Sequence, residues 1–136
     1  MSKPIPHIQK YMTTSPHSIG REQTLARAHA VMRQHGIRHL PVLDGGALVG
    51  LLSLRDAHLL ETLKDIDVDK VTVEDAMTSV VYAVSPDAPL DEVAATMAEH
   101  KYGCAVVMQN HHVVGVFTTV DACAALADLL RARLRA

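Results

Sequence analysis

The chain repeats itself. Aligned on its own sequence at an offset of 65 residues, it keeps register without a gap from Met12 opposite Met77 through Ala57 opposite Ala122. Eleven of those 46 positions are identical, among them Met12/Met77, Thr13/Thr78, Leu25/Leu90, Met32/Met97, Val42/Val107, Gly50/Gly115 and Asp56/Asp121. Unrelated segments of ordinary composition would share roughly three. Two copies of one unit therefore fill the chain. Each copy is too short to bury a sizeable core alone, so the copies are expected to pack together with internal pseudo-twofold symmetry.

Each copy reads as strand, helix, strand, strand, helix. In the first, Ser18-Ile19 is extended, and Thr24 stands as an N-cap before Leu25, Ala28 and Met32 at helical spacing. Gly36 closes that helix. Leu40 to Leu43 and Ala47 to Leu52 flank Asp44-Gly45-Gly46, which predicts a β-hairpin, because glycine tolerates the positive φ of a tight turn. A second helix is expected from Arg55 to Leu63, with Ala57, Leu60 and Leu63 along one face. The second copy repeats this plan. Pro86 and Pro89 mark a helix start, and Asp91 and Glu92 suit its dipole. Strands Tyr102 to Met108 and Val113 to Phe117 turn at Asn110, and a last helix runs from Asp121 towards Arg135. Between the copies, residues 64–70 alternate charged and apolar side chains without Gly or Pro, as a structured connector would.

Composition narrows the function. Thirteen basic against fifteen acidic residues, with no long basic run, give no electrostatic grip on nucleic acid. No apolar run reaches the roughly 18 residues of a membrane helix, and the start lacks a signal-peptide core, so a cytoplasmic address is expected. Cys104 and Cys123 lie in apolar surroundings without a C-x-x-C spacing and are expected as buried free thiols. The nine histidines are scattered, and the adjacent pair His111-His112 falls at a turn where side chains diverge, so no metal site is expected. There is no Walker loop, dinucleotide glycine fingerprint or nucleophile elbow, so no enzyme is expected.

Taken together the motifs resemble a tandem pair of cystathionine β-synthase (CBS) domains, the nucleotide-sensing Bateman module. The resemblance runs from Ile8 to Leu126. It rests on Met12-Thr13, on Ile37-Arg38-His39-Leu40-Pro41-Val42 and on Gly50-Leu51-Leu52-Ser53-Leu54-Arg55-Asp56, with Met77-Thr78 and Gly115-Val116-Phe117-Thr118-Thr119-Val120-Asp121 in the second copy. It implies an α/β (α+β) fold of two βαββα motifs. Residues 8–63 form the first motif, 64–72 the connector, 73–127 the second motif and 128–136 a C-terminal helix end.

In both copies a Gly-x-x-(Ser/Thr)-x-x-Asp segment carries the chemistry. A strand that ends as a helix begins exposes backbone N–H groups suited to phosphate, and Ser53 or Thr118 adds a hydroxyl donor. Three residues on, Asp56 or Asp121 can accept from both ribose hydroxyls, the role the resemblance implies. The same residues are also what a plain helix cap selects. The resemblance places an adenine among apolar residues: Ile19, Leu40 and Pro41 in the first copy, and Val84, Tyr102 and Ala105 in the second. Arg55, Arg38 and His39 concentrate phosphate-pairing charge on the first copy, where the second has Val120 and Gly103-Cys104. The second site is left a nucleoside-like ligand or nothing.

The function implied is a sensor of AMP, ADP or ATP, bound in the cleft between repeats and read by an effector protein. Alternatives are a ligand-free dimerising adaptor and a module for S-adenosylmethionine or NAD. After the second repeat only Asp128 to Ala136 remain, so no attached effector domain is expected. The resemblance also implies a homodimer made through helices, for which Ala94, Met97, Ala98, Ala124, Ala125 and Leu129 offer apolar surface.

Overall fold

The computed structural model describes residues 4–134. Its contacts divide the chain into two compact units: one is His17–Val81, and the other joins the segment ending at Pro16 to everything from Tyr82 onward. The fold is mixed α/β, with two sheets and five α-helices among the described residues.

In the unit His17–Val81 the order is β2 (Ile19–Gly20), α1 (Leu25–His35), β3 (His39–Asp44), β4 (Ala47–Ser53), α2 (Leu54–Glu61) and α3 (Val73–Ala76), following β1 (Thr13–Thr14) in the other unit. Thr24 caps α1 by accepting the Arg27 N–H at 3.1 Å, and Gly36 ends it in the left-handed region at φ 63°. Leu25, Ala28 and Met32 turn one face of α1 into a core that also holds Leu40, Val42 and Leu52. The N–H groups of Leu25 and Ala26, which a helix start leaves without intrahelical partners, donate to the carbonyls of Val71 and Val68. The connector thus completes the first helix of its own unit.

β2 pairs parallel with β3, and β3 antiparallel with β4, around a turn with Gly45 at φ 57° and Gly46 at φ 88°. Two successive positive φ values are what a type I′ hairpin demands. Helix α2 ends at Glu61, so Leu63, expected on its packed face, lies beyond it and is exposed. The helix runs out before the third expected contact.

The other unit contains β1, β5 (Ala83–Val84), α4 (Leu90–His100), β6 (Cys104–Gln109), β7 (His112–Thr118) and α5 (Thr119–Leu134). Its sheet has the order β1-β7-β6-β5. The hairpin turn uses Asn110 at φ 51° and His111 at φ 66° where the first copy uses two glycines. Both hairpins carry a bulge at the same repeat position, after Val42 and after Val107. The core is Ile8, Leu90, Val93, Met97, Ala105, Val107, Phe117 and Ala125.

The segment that opens each repeat belongs to the unit that holds the body of the other repeat. Thr13 and Thr14 pair with Val116 and Gly115, while Thr78 pairs with Leu51. The Ile8 and Gln9 N–H groups donate to Ala88 and Pro86, and those of Val73 and Glu74 donate to Gln23 and Arg21, the same contacts displaced by one repeat. This accounts for the repeated glycines. A Cβ at Gly50 would collide with the Met77 sulfur and lie 2.8 Å from the Thr78 carbonyl; at Gly115 it would meet the Met12 sulfur at 2.7 Å and the Thr13 carbonyl at 2.9 Å. A methionine sulfur can move aside, but a paired backbone carbonyl cannot. Gly50→Ala is therefore expected to destabilise the chain by about 1–3 kcal/mol, seen as a lower urea midpoint at unchanged m-value.

Two expectations about burial are corrected. Cys104 is buried but Cys123 is exposed, because α5 turns Ala125 to the core and position 123 away from it. Met97 and Ala125, expected as outward contact surface, are core residues at 5% and 3% exposure, and Leu129 packs partly against the same core. No described helix is long and apolar enough to cross a membrane.

Candidate functional site

In the first copy, Ser53 stands at the junction of β4 and α2 with extended backbone, and its hydroxyl accepts the Asp56 N–H at 3.0 Å. The next N–H, of Leu54, donates to the Arg38 carbonyl at 2.7 Å, and His39 is in register with Ser53 across the sheet. The start of β3 and the end of β4 are so held together. The result is a cleft of about 390 Å³ lined by Arg38, His39, Ser53, Leu54, Arg55 and His58. Arg38 and Arg55 are exposed, and Asp56 is half-buried. Among the described residues, the Asp56 carboxylate has no hydrogen-bond or ion-pair partner.

Burial holds the His39 imidazole below the usual histidine pKa; the Asp56 carboxylate works in the other direction and the Arg38 guanidinium adds to the lowering. His39 is thus neutral at pH 7 and offers the cleft a hydrogen-bonding ring rather than a charge.

The second copy uses the same residue types differently. Asp121 Oδ2 accepts the Thr118 N–H at 2.9 Å, and the Thr118 hydroxyl accepts the Asp121 N–H at 3.4 Å, which makes a closed capping box at the start of α5. Thr13, delivered by β1, donates its hydroxyl to Asp121 Oδ1 at 3.1 Å. Both carboxylate oxygens are engaged. Around this junction Gly103, Cys104 and Val120 stand where the first copy has Arg38, His39 and Arg55. The Cys104 thiol is pushed up to about 12 by burial and by the Asp121 carboxylate, so it stays protonated and unreactive.

The structure thus brings together Arg38, His39, Ser53 and Arg55 of the predicted residues, with Asp56 beside them. Leu40 is fully buried and Ile19 nearly so, both in the core of the unit His17–Val81, and Pro41 is fully buried as well. Ala105 is likewise buried in the second unit, and Val84 is half-buried against its core. Tyr102 stacks on Tyr82 and His100, with ring centroids 5.4 and 5.1 Å away. Sequence reasoning missed Leu54 and His58 in the cleft and Thr13 as the partner of Asp121. Leu54 and His58 are four residues apart on α2, a spacing that shares one helix face.

Comparison with known proteins follows the repeat. The profile of the CBS domain matches residues 8–58 and again residues 73–128. The chain belongs to the CBS domain family. A relative from Bacillus subtilis, the CBS domain-containing protein YhcV, is 26% identical over 114 residues, which span 84% of this chain and 81% of YhcV. Among solved structures, a Vibrio cholerae chain assigned to acetoin utilization (AcuB) superposes with TM-score 0.86 at 29% identity, over 98% of both chains. The CBS domain pair of protein MJ0100, solved with 5-methylthioadenosine and S-adenosyl-L-methionine, gives TM-score 0.83 at 26% identity, over 93% of this chain and 99% of that one. The fold is that of CBS domain pairs.

Proposed function

We propose that this CBS domain pair is a regulatory binding module whose first repeat takes an adenosyl ligand. The observation that carries the reading is the Asp56 carboxylate, without a partner among the described residues, beside a cleft lined by two arginines. An ionised carboxylate so placed can accept from both hydroxyls of a ribose, and the guanidiniums at this junction suit phosphate. The two arginines favour a phosphate-bearing ligand, AMP, ADP or ATP, over an uncharged nucleoside. The adenosyl ligands of MJ0100 support the ligand class and keep S-adenosylmethionine and methylthioadenosine as the second reading.

Binding, rather than catalysis, is the role assigned, with a cytoplasmic address and an effector protein that reads the occupied state. A ligand moves such an equilibrium only by its differential affinity for the two states, commonly about 1–3 kcal/mol. The reading is tested by thermal melts followed by circular dichroism, since the chain has no Trp. AMP, ADP, ATP, NAD, methylthioadenosine and S-adenosylmethionine are each added. At about a hundredfold above Kd one site stabilises by about 2.7 kcal/mol, a shift of several degrees. A shift with a phosphorylated adenosine and none with methylthioadenosine is expected; no shift with any of the six would leave the dimerising adaptor.

The same proposal includes a homodimer. On α5 the exposed Val120, Cys123, Leu130 and Leu134 with the half-buried Ala127 recur at alternating spacings of three and four, the seam by which one helix packs against another. This stripe replaces Met97 and Ala125 as the surface expected to meet a second copy. Sedimentation at micromolar concentration is expected to return twice the 14.7 kDa chain mass, and Leu130→Glu to return the chain mass.

A further inference from the structure

Beside the first cleft, which His58 also lines, three side chains of the unit His17–Val81 converge. His29 projects from α1, and His58 and Glu61 from α2, with one ligand atom of each lying within 4.8 Å of the other two. His29 Nδ1 and Glu61 Oε1 are 2.6 Å apart, and the rings of His29 and His58 meet edge to face with centroids 5.0 Å apart. His58 and Glu61, three residues apart, share one face of α2. The side chains of His29 and Glu61 are each 25% exposed, and His58 is exposed.

The geometry points to a binding site for a divalent transition-metal ion, of which zinc is the one argued here. Two imidazoles and a carboxylate form an accepted three-residue set for zinc, with the fourth, tetrahedral position left to water. Ligand bonds of about 2.0–2.2 Å place tetrahedral donors roughly 3.3 Å apart. The His29–Glu61 separation has to open slightly and His58 to close slightly, movements that side-chain torsions supply. Without metal, the same imidazole shares a hydrogen bond with the carboxylate. The fold does not impose this cluster: the equivalent positions of the second repeat are Ala94, Cys123 and Leu126. Three ligands have therefore been placed at one point of one copy. His29 and Glu61 are 32 residues apart in the chain, so no sequence spacing announces the site. A bound ion would tie α1 to α2, the helix whose first turn carries Asp56.

The site is tested on the whole chain, independently of any nucleotide, by titrating zinc against a chromophoric chelator. One zinc per chain is expected, with the His29 and His58 imidazole nitrogen resonances shifting on binding and the melting temperature rising by several degrees. His58→Ala and Glu61→Gln, both verified as folded by circular dichroism, are expected to weaken binding roughly a hundredfold, while His111→Ala with His112→Ala leaves it unchanged. His58 is exposed, so its removal leaves the core intact. Absence of zinc binding at sub-millimolar concentration, or an affinity that survives in both His58→Ala and Glu61→Gln, would overturn the assignment.

Discussion

Asp56→Ala is expected to weaken binding of the adenosyl ligand by roughly 10- to 100-fold while leaving the melting temperature of the free chain nearly unchanged. Asp121→Ala should do the reverse. The difference follows from what each carboxylate already holds. Asp56 accepts no hydrogen bond from the described residues, so its removal costs the folded chain little, whereas hydrogen bonds from ribose hydroxyls to an ionised group contribute about 1.5–3 kcal/mol. Asp121 closes the capping box of α5 and accepts from Thr13, so removing it leaves the Thr118 N–H and a threonine hydroxyl without partners, at a cost of about 1–2 kcal/mol. Calorimetric titration and thermal melts of the two variants side by side separate these outcomes. Equal affinity losses would mean that both junctions bind ligand and that the capping asymmetry has no functional meaning.

Phe117→Ala is expected to have the largest effect on stability, about 3–5 kcal/mol, or a fall in melting temperature of about 10–20 °C. Phe117 is the one phenylalanine in the chain and is fully buried, opposite Ala105 across β6 and β7. In the other unit the equivalent cross-strand pair is Leu40 and Leu52. One copy fills the space between sheet and helices with two medium side chains, the other with one large and one small. Removing the ring leaves alanine opposite alanine, a cavity that Ile8, Leu90 and Val93 can close only in part. Leu52→Ala, which leaves Leu40 in place, should cost less. A Phe117→Ala melt within a few degrees of the parent would mean that the core is packed much less tightly than its burial implies.

Much of the fold is legible in the sequence because the repeat states each element twice. Thr24, Gly36, the paired turn residues and the stripes Leu25-Ala28-Met32 and Leu90-Val93-Met97 are local signals, and local physics decides them. The exchange of the opening segments is not legible. Met12-Thr13 and Met77-Thr78 are equally compatible with packing on the nearer or the farther repeat, and only the three-dimensional path of the chain assigns them. That path brings the Thr13 hydroxyl to Asp121, while the equivalent Thr78 hydroxyl points to the Val80 carbonyl and leaves Asp56 without a partner among the described residues. A sequence that writes Asp twice cannot reveal that one copy is occupied internally. The outward face of α5 was hidden for a related reason: the alanines at 122, 124, 125 and 127 look alike until packing selects Ala125 for the core.

The first repeat, at Ser53–Asp56, is proposed as the working ligand site. Its most direct test is a backbone amide NMR titration of the intact chain with AMP. Shift changes are predicted for Arg38, His39 and Ser53 to Asp56, saturating together, with Thr118 to Asp121 unmoved at the same concentrations. Changes confined to Thr118–Asp121, with Ser53–Asp56 still, would contradict the account.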